Sequence, residues 1–226
     1  MYKLDSQELK GLREMIINTS TKKLNEYRKL NETELGAPFV FLGDSMIEYF
    51  NLNTYLPGID AINRGIAGAT SPFILSKLNM ILGNLEPNHI YISIGSNDLV
   101  LHEATVQKVV ENIKVLLKEL TNRYPEAHIT YLSTTPVISV KSKLYKKIYI
   151  AGRENHELKT INEQIKIYAD LNQLGFINLF DALLDLNGYL DETYTMDGIH
   201  LNPKGYMVYA SIIKEKLKSM IECSSE

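Results

Sequence analysis

The chain is short of everything that would point to stapling, a bilayer or nucleic acid. A single cysteine, Cys223, in 226 residues excludes an internal disulfide, and a lone thiol fits a reducing compartment. Cys223 also lies in a polar stretch near the chain end, a poor seat for a nucleophile. No apolar run approaches membrane-spanning length, and Met1 to Glu8 lacks the apolar core of a signal peptide. A cytoplasmic protein without stable membrane anchoring is therefore expected. Charge of neither sign dominates: 24 basic residues face 27 acidic ones, for a net −3, so no basic surface recommends nucleic acid as a partner. His89, His102, His128 and His156 show no metal-ligand spacing with one another or with Cys223, and no metal is expected. Repeats, low-complexity tracts and long linkers are also missing. What remains is an ordinary globular composition, 45% hydrophobic and 23% charged. A chain of this length buries roughly 70–75% of its unfolded surface unaided. One domain over residues 1–226 is the expectation, with residues 1–35 as an N-terminal helical extension.

Read in order, residues 1–35 carry an amphipathic helical pattern through Leu4, Leu12, Ile16, Leu24, Tyr27 and Leu30. Asn18-Thr19-Ser20-Thr21 looks like a break and a new N-cap, which predicts two helices. They would pack on the domain or mediate self-association as a homo-oligomer. Gly36-Ala37-Pro38 closes this part and admits a buried strand, Phe39-Val40-Phe41-Leu42. Further strands are expected at Ile59–Ile62, His89–Ile94, His128–Thr134 and Phe176–Phe180. Helices are expected at Met46–Phe50, Ser71–Leu85, Thr105–Tyr124, Glu154–Leu174 (with Gly175 as C-cap) and from Asn202-Pro203 to about Ile221. Strands alternating with helices predict an α/β fold: a three-layer α/β/α domain around a parallel sheet.

In such a sheet, ligands bind beyond the carboxyl ends of the strands. Four polar or glycine-rich clusters fall there: Asp44-Ser45, Gly65 to Thr70, Asn97-Asp98, and Asp197 with His200. Each supplies a part that acyl transfer needs. A serine hydroxyl is a weak nucleophile and wants a neighbouring base. Histidine is the usual base, and a carboxylate on its other nitrogen fixes the tautomer. Asp197 precedes His200 by three residues, close enough for one turn to present both. Charge on the tetrahedral intermediate needs fixed donors, which Ser45 N–H, a glycine such as Gly68 and the Asn97 amide can provide. Taken singly these residues have plainer uses. Asp44 and Ser45 would cap a helix, Asn97 and Asp98 would form a turn, and His200 would be a surface residue. Asp44 as an aspartyl nucleophile for phosphoryl transfer lacks a second acidic motif, and supporting the turn is its better role. The basic segment Lys141 to Tyr149 reads as a solvated loop. Its sharper reading is a flap beside the site, with Arg153 and Asn155 binding substrate.

Gly43-Asp44-Ser45-Met46, the Gly68 loop, Gly95-Ser96-Asn97-Asp98 and Asp197-Gly198-Ile199-His200 resemble, in order, the four blocks of the SGNH (GDSL-type) hydrolases. The likeness runs from about Phe39 to Tyr206. In its Met46 and Gly65-Ile66-Ala67-Gly68 it is most similar to platelet-activating-factor acetylhydrolase-like esterases. It implies a flavodoxin-like sheet of five parallel strands and a cofactor-free serine esterase acting on small acyl, acetyl-type esters. By the same resemblance Ser45 is nucleophile and oxyanion donor, Gly68 and Asn97 are further donors, His200 is the base and Asp197 its orienter. Ala69 departs from the pattern, since relatives often carry Asp there, and Gly65 is a second glycine available for the donor role. Two other functions fit the same residues: an acyltransferase, and a non-catalytic interaction module on an esterase scaffold.

Overall fold

The computed structural model describes residues 3–33, 36 and 38–223, with side chains to Leu217. Met1, Tyr2, the Glu34-Leu35 end of the expected helical extension, Ala37 and the Cys223 side chain lie outside the described residues.

Five strands form one all-parallel sheet in the order β2-β1-β3-β4-β5: β1 (Phe39–Gly43), β2 (Ala61–Gly65), β3 (His89–Ser93), β4 (His128–Leu132) and β5 (Gly175–Ile177). This is the flavodoxin-like order, with its switch point at β1 and β3. Helices cover both faces, as the apolar runs in the central strands require. Val40, Leu42, Ile90 and Ile92 meet α4 (Ser71–Leu82), α6 (Val106–Arg123) and α8 (Asn155–Leu171). The alternate residues Phe41 and Tyr91 meet α2 (Ser45–Glu48), α3 (Leu52–Tyr55) and α9 (Pro203–Cys223). Gly43 stands opposite Gly65 on one side and Ser93 on the other. Three loops therefore leave the sheet at one level, and three of the polar clusters leave with them. Among the described residues no helix is long and apolar enough to cross a membrane.

Four expectations are corrected. The N-terminal pattern is one helix, α1 (Ser6–Leu30), closed at its start by a capping box between Asp5 and Glu8. The expected break does not form because Thr19, Ser20 and Thr21 hydroxyls donate back to carbonyls one turn earlier, which lets them stay helical. The second strand runs later than its apolar residues suggest and includes Asn63 and Arg64. Arg64 is 1% exposed and tolerated there because its Nε donates to Ile81 O and its Nη2 to Asn31 Oδ1, under the Tyr27 ring. Gly175 opens β5 instead of capping α8, whose cap is Asn172. Lastly, Asn97 and Asp98, whose plainer reading is a turn, lie in a short helix, α5 (Ser96–Leu101).

Tyr27 ties α1 to the sheet. It is buried, and its hydroxyl donates to Gly65 O at the end of β2. Tyr27→Phe is expected to cost about 1 kcal/mol, the net worth of one such bond. For a chain of this size a thermal melt would read about 2–4 °C.

Candidate active site

The turn after β1 is shaped by Asp44, which caps α2 by accepting from Met46 N–H at 2.9 Å. Ser45 is thus the first residue of a helix at the end of a buried strand, and its hydroxyl opens into a cleft of about 560 Å³. The fourth cluster arrives just before α9. Thr195 Oγ1 donates to His200 O at 2.7 Å and accepts from Gly198 N–H at 2.9 Å, closing the Asp197–His200 turn on itself. Inside that turn Asp197 Oδ1 accepts the backbone N–H groups of Ile199 and His200, at 3.1 and 2.9 Å. Its other oxygen lies 2.7 Å from His200 Nδ1, and His200 Nε2 lies 3.0 Å from Ser45 Oγ. Burial alone would raise the Asp197 carboxyl; the hydrogen bonds from the His200 ring and backbone outweigh it and hold the group below the ordinary carboxylate value. The imidazole is flanked edge-on by Tyr49 and Tyr149, with ring centroids 5.3 and 5.7 Å away.

Gly68 lines the same cleft with φ +79°, a conformation that favours glycine. A Cβ there would also meet Ile16 of α1 at 2.7 Å. The backbone N–H groups of Ser45 and Gly68 take no partner among the described residues. Gly65 is otherwise engaged: its N–H donates to Asn63 Oδ1 and it lies within β2. Asn97 reaches the cleft from the start of α5. Its Nδ2 donates to Ala69 O at 3.0 Å and reaches Asp44 Oδ2 at 3.4 Å. Asp98 is no simple turn former: it is fully buried and accepts from Ser71 N–H at 2.9 Å, anchoring the start of α4.

Arg153 and Asn155 are placed differently from each other. Arg153 lines the cleft but is nearly buried, and its donors go to Ser96, Asn97, Tyr149 and Ile150. Asn155 exchanges hydrogen bonds with the Val137 backbone and donates to Gly188 O. It lines a separate depression of about 660 Å³ that contains none of Ser45, Asp197 and His200. The basic segment does reach the site, since Ile148 and Tyr149 of α7 (Lys147–Ile150) line the cleft. So does α1, through Leu12, Met15, Ile16 and Ser20. The amphipathic pattern of α1 gave no sign of which surface it would cover. Lys147 of α7 pairs with Glu8 of α1 at 2.6 Å, joining the two walls. Among the described residues no three His, Cys, Asp or Glu side chains gather as metal ligands would.

Burial pushes the Asp44 carboxyl up to about 6; the Met46 N–H, Arg153 and His200 pull the other way, and Asp98 adds to the rise. The folded chain therefore binds a proton here at pH values where the unfolded chain does not. The stability tied to Asp44 is present at about pH 4 and is lost as pH rises through 6. Asp44→Asn should remove this slope. The difference in unfolding free energy between wild type and variant is expected to move by about 2–3 kcal/mol against wild type from pH 4 to pH 7. Urea midpoints at the two pH values would read it.

Chemically, the arrangement can move a proton from the Ser45 hydroxyl to the His200 imidazole, with Gly68 and Asn97 lining the same cleft. The family model described as GDSL-like Lipase/Acylhydrolase matches residues 41–208. N-acylneuraminate cytidylyltransferase of Escherichia coli is 27% identical over 87% of this chain, which spans only 43% of that protein's length. Human platelet-activating factor acetylhydrolase IB subunit alpha2 is 25% identical over 83% of this chain and 79% of its own. A solved Streptococcus pneumoniae chain, described as a candidate platelet activating factor, superposes with a TM-score of 0.84 at 26% identity, over 95% of this chain and all of that one. A GDSL-like lipase from Bacteroides thetaiotaomicron shares the fold at a TM-score of 0.71 and 22% identity, over 87% of this chain and 98% of its own.

Proposed function

This chain belongs to the GDSL-like lipase/acylhydrolase family and is a hydrolase of that family, and from that premise we propose that it is a serine esterase of small acyl esters, acetyl esters among them, working through an acyl-enzyme on Ser45. The observation that carries the reading is the unbroken chain Ser45 Oγ–His200 Nε2 at 3.0 Å and His200 Nδ1–Asp197 at 2.7 Å, joining residues 155 positions apart.

Ser45 Oγ attacks the ester carbonyl carbon as His200 Nε2 takes its proton. Asp197 holds the Nδ1–H tautomer and steadies the imidazolium that forms. The carbonyl oxygen, now negative, is met by the N–H groups of Ser45 and Gly68 and by the Asn97 amide. Collapse breaks the ester C–O bond, and the departing alcohol carries away the proton held by His200. Water then adds to the acyl-serine with His200 again as base, releasing the acid and restoring the hydroxyl. Asn97→Ala should lower kcat by about 10²–10³, the scale for one oxyanion donor. The acetyl preference is drawn from the acetylhydrolase relatives, and the whole chain is read as one domain with α1 as a wall of its cleft.

The test is hydrolysis of p-nitrophenyl acetate, with products analysed with and without an added alcohol. Acetate as the main product supports the esterase. An acetylated alcohol formed in preference to acetate would make the chain a transferase. No turnover of any acyl ester, with no reaction towards a fluorophosphonate, would leave an interaction module.

A further inference from the structure

The Arg153 guanidinium is buried behind the cleft and spans two elements. Nε donates to Ser96 O and Oγ at 3.1 and 2.8 Å, and Nη1 to the carbonyls of Tyr149 and Ile150 at 2.8 and 3.2 Å. Nη2 donates to Asn97 Oδ1 at 2.7 Å. A guanidinium has donors only, so the Asn97 atom facing it must be the oxygen. The amide nitrogen is thereby turned the other way, between Asp44, which precedes Ser45, and Ala69, which follows Gly68. One amide hydrogen is held by Ala69 O at 3.0 Å; the other makes only a long 3.4 Å contact with Asp44 Oδ2 and is the one available to an oxyanion beside Ser45 and Gly68.

We infer that Arg153 is a positioning residue: it locks the Asn97 amide so that its nitrogen, and not its oxygen, faces the developing oxyanion. A side-chain amide is nearly symmetric in shape, and sterics alone do little to prevent a half-turn. Reversed, the amide would present a lone pair to a negative oxygen and turn a stabilising contact into a repulsive one. The same guanidinium joins the start of α5, at Ser96 and Asn97, to the α7 segment whose Tyr149 packs on His200. One buried cation thus holds the donor and a neighbour of the base in a single frame. Nearby Asp44 gives the cation an opposite charge. This role rests on the esterase reading above and replaces the substrate contact expected of Arg153.

A double-mutant cycle tests it on the full chain, with p-nitrophenyl acetate as substrate. Arg153→Met should lower kcat about 10²-fold, the scale of one oxyanion donor, with KM changed by less than about threefold. In an Asn97→Ala background the same substitution should change kcat by less than about threefold, because the group it acts through is gone. Millimolar guanidinium should restore part of the activity of Arg153→Ala, and none of that of Arg153→Ala with Asn97→Ala. If Arg153→Met fails to fold, Arg153→Lys carries the same cycle, since it keeps the charge but loses the planar fork. Equal losses in both backgrounds, or an Arg153 variant with wild-type kcat, would overturn the inference while leaving the esterase intact. Wild-type protein without Ser45-dependent turnover would remove both.

Discussion

Ser45→Ala is expected to cut turnover of p-nitrophenyl acetate by about 10⁶ while the protein stays folded. The magnitude is that seen when a triad serine is removed from a site whose other parts remain. It is large because the oxygen that attacks and the proton that moves are both lost, and water in the gap is not held by His200 at attack distance. The fold should tolerate the change, since Asp44 caps α2 and, among the described residues, the Ser45 side chain bonds to His200 alone. KM should move little, because the variant keeps the cleft walls formed by α1 and α7. An unchanged melting temperature beside a collapsed kcat would separate this outcome from simple unfolding.

Asp197→Asn is the second large effect, a loss of about 10⁴ in kcat. Asn retains an oxygen for the Ile199 and His200 N–H groups, so the turn survives. At the other position a carboxylate oxygen, 2.7 Å from His200 Nδ1, becomes an NH2. Two donors cannot face each other, so Nδ1 gives up its hydrogen and the proton moves to Nε2. The nitrogen facing Ser45 then donates where it must accept, and the base is blocked without any change of shape. Because hydrogen bonds hold the Asp197 carboxyl below the ordinary carboxylate value, wild type keeps an ionised acceptor facing His200 Nδ1 at neutral pH. The variant should be impaired at every pH.

The parts of the molecule that could be read from the chain are those where chemistry and secondary structure ask for different residues. Phe39-Val40-Phe41-Leu42 followed by Gly-Asp-Ser announces a buried strand and a polar turn, and the structure has both. The carboxyl-edge convergence followed from the strand–helix alternation alone. What stayed illegible is where a polar residue is satisfied by a distant partner. Arg64 interrupts the apolar pattern of β2, yet it is content inside because Asn31 and Ile81 lie far along the chain and close in space. Asp98 looks like a turn residue until the N–H of Ser71 is brought to it. Thr19-Ser20-Thr21 reads as a break because local sequence does not say whether hydroxyls will cap a new helix or bond back into the old one. Arg153 is the same case at the site, a cation whose role depends on an asparagine 56 positions away.

The most direct measurement is the mass of the protein and its peptides after reaction with diisopropyl fluorophosphate. The account predicts one adduct per chain, on the peptide containing Ser45, and very slow labelling of His200→Ala. Unmodified wild-type protein, or an adduct on some other residue, would contradict it.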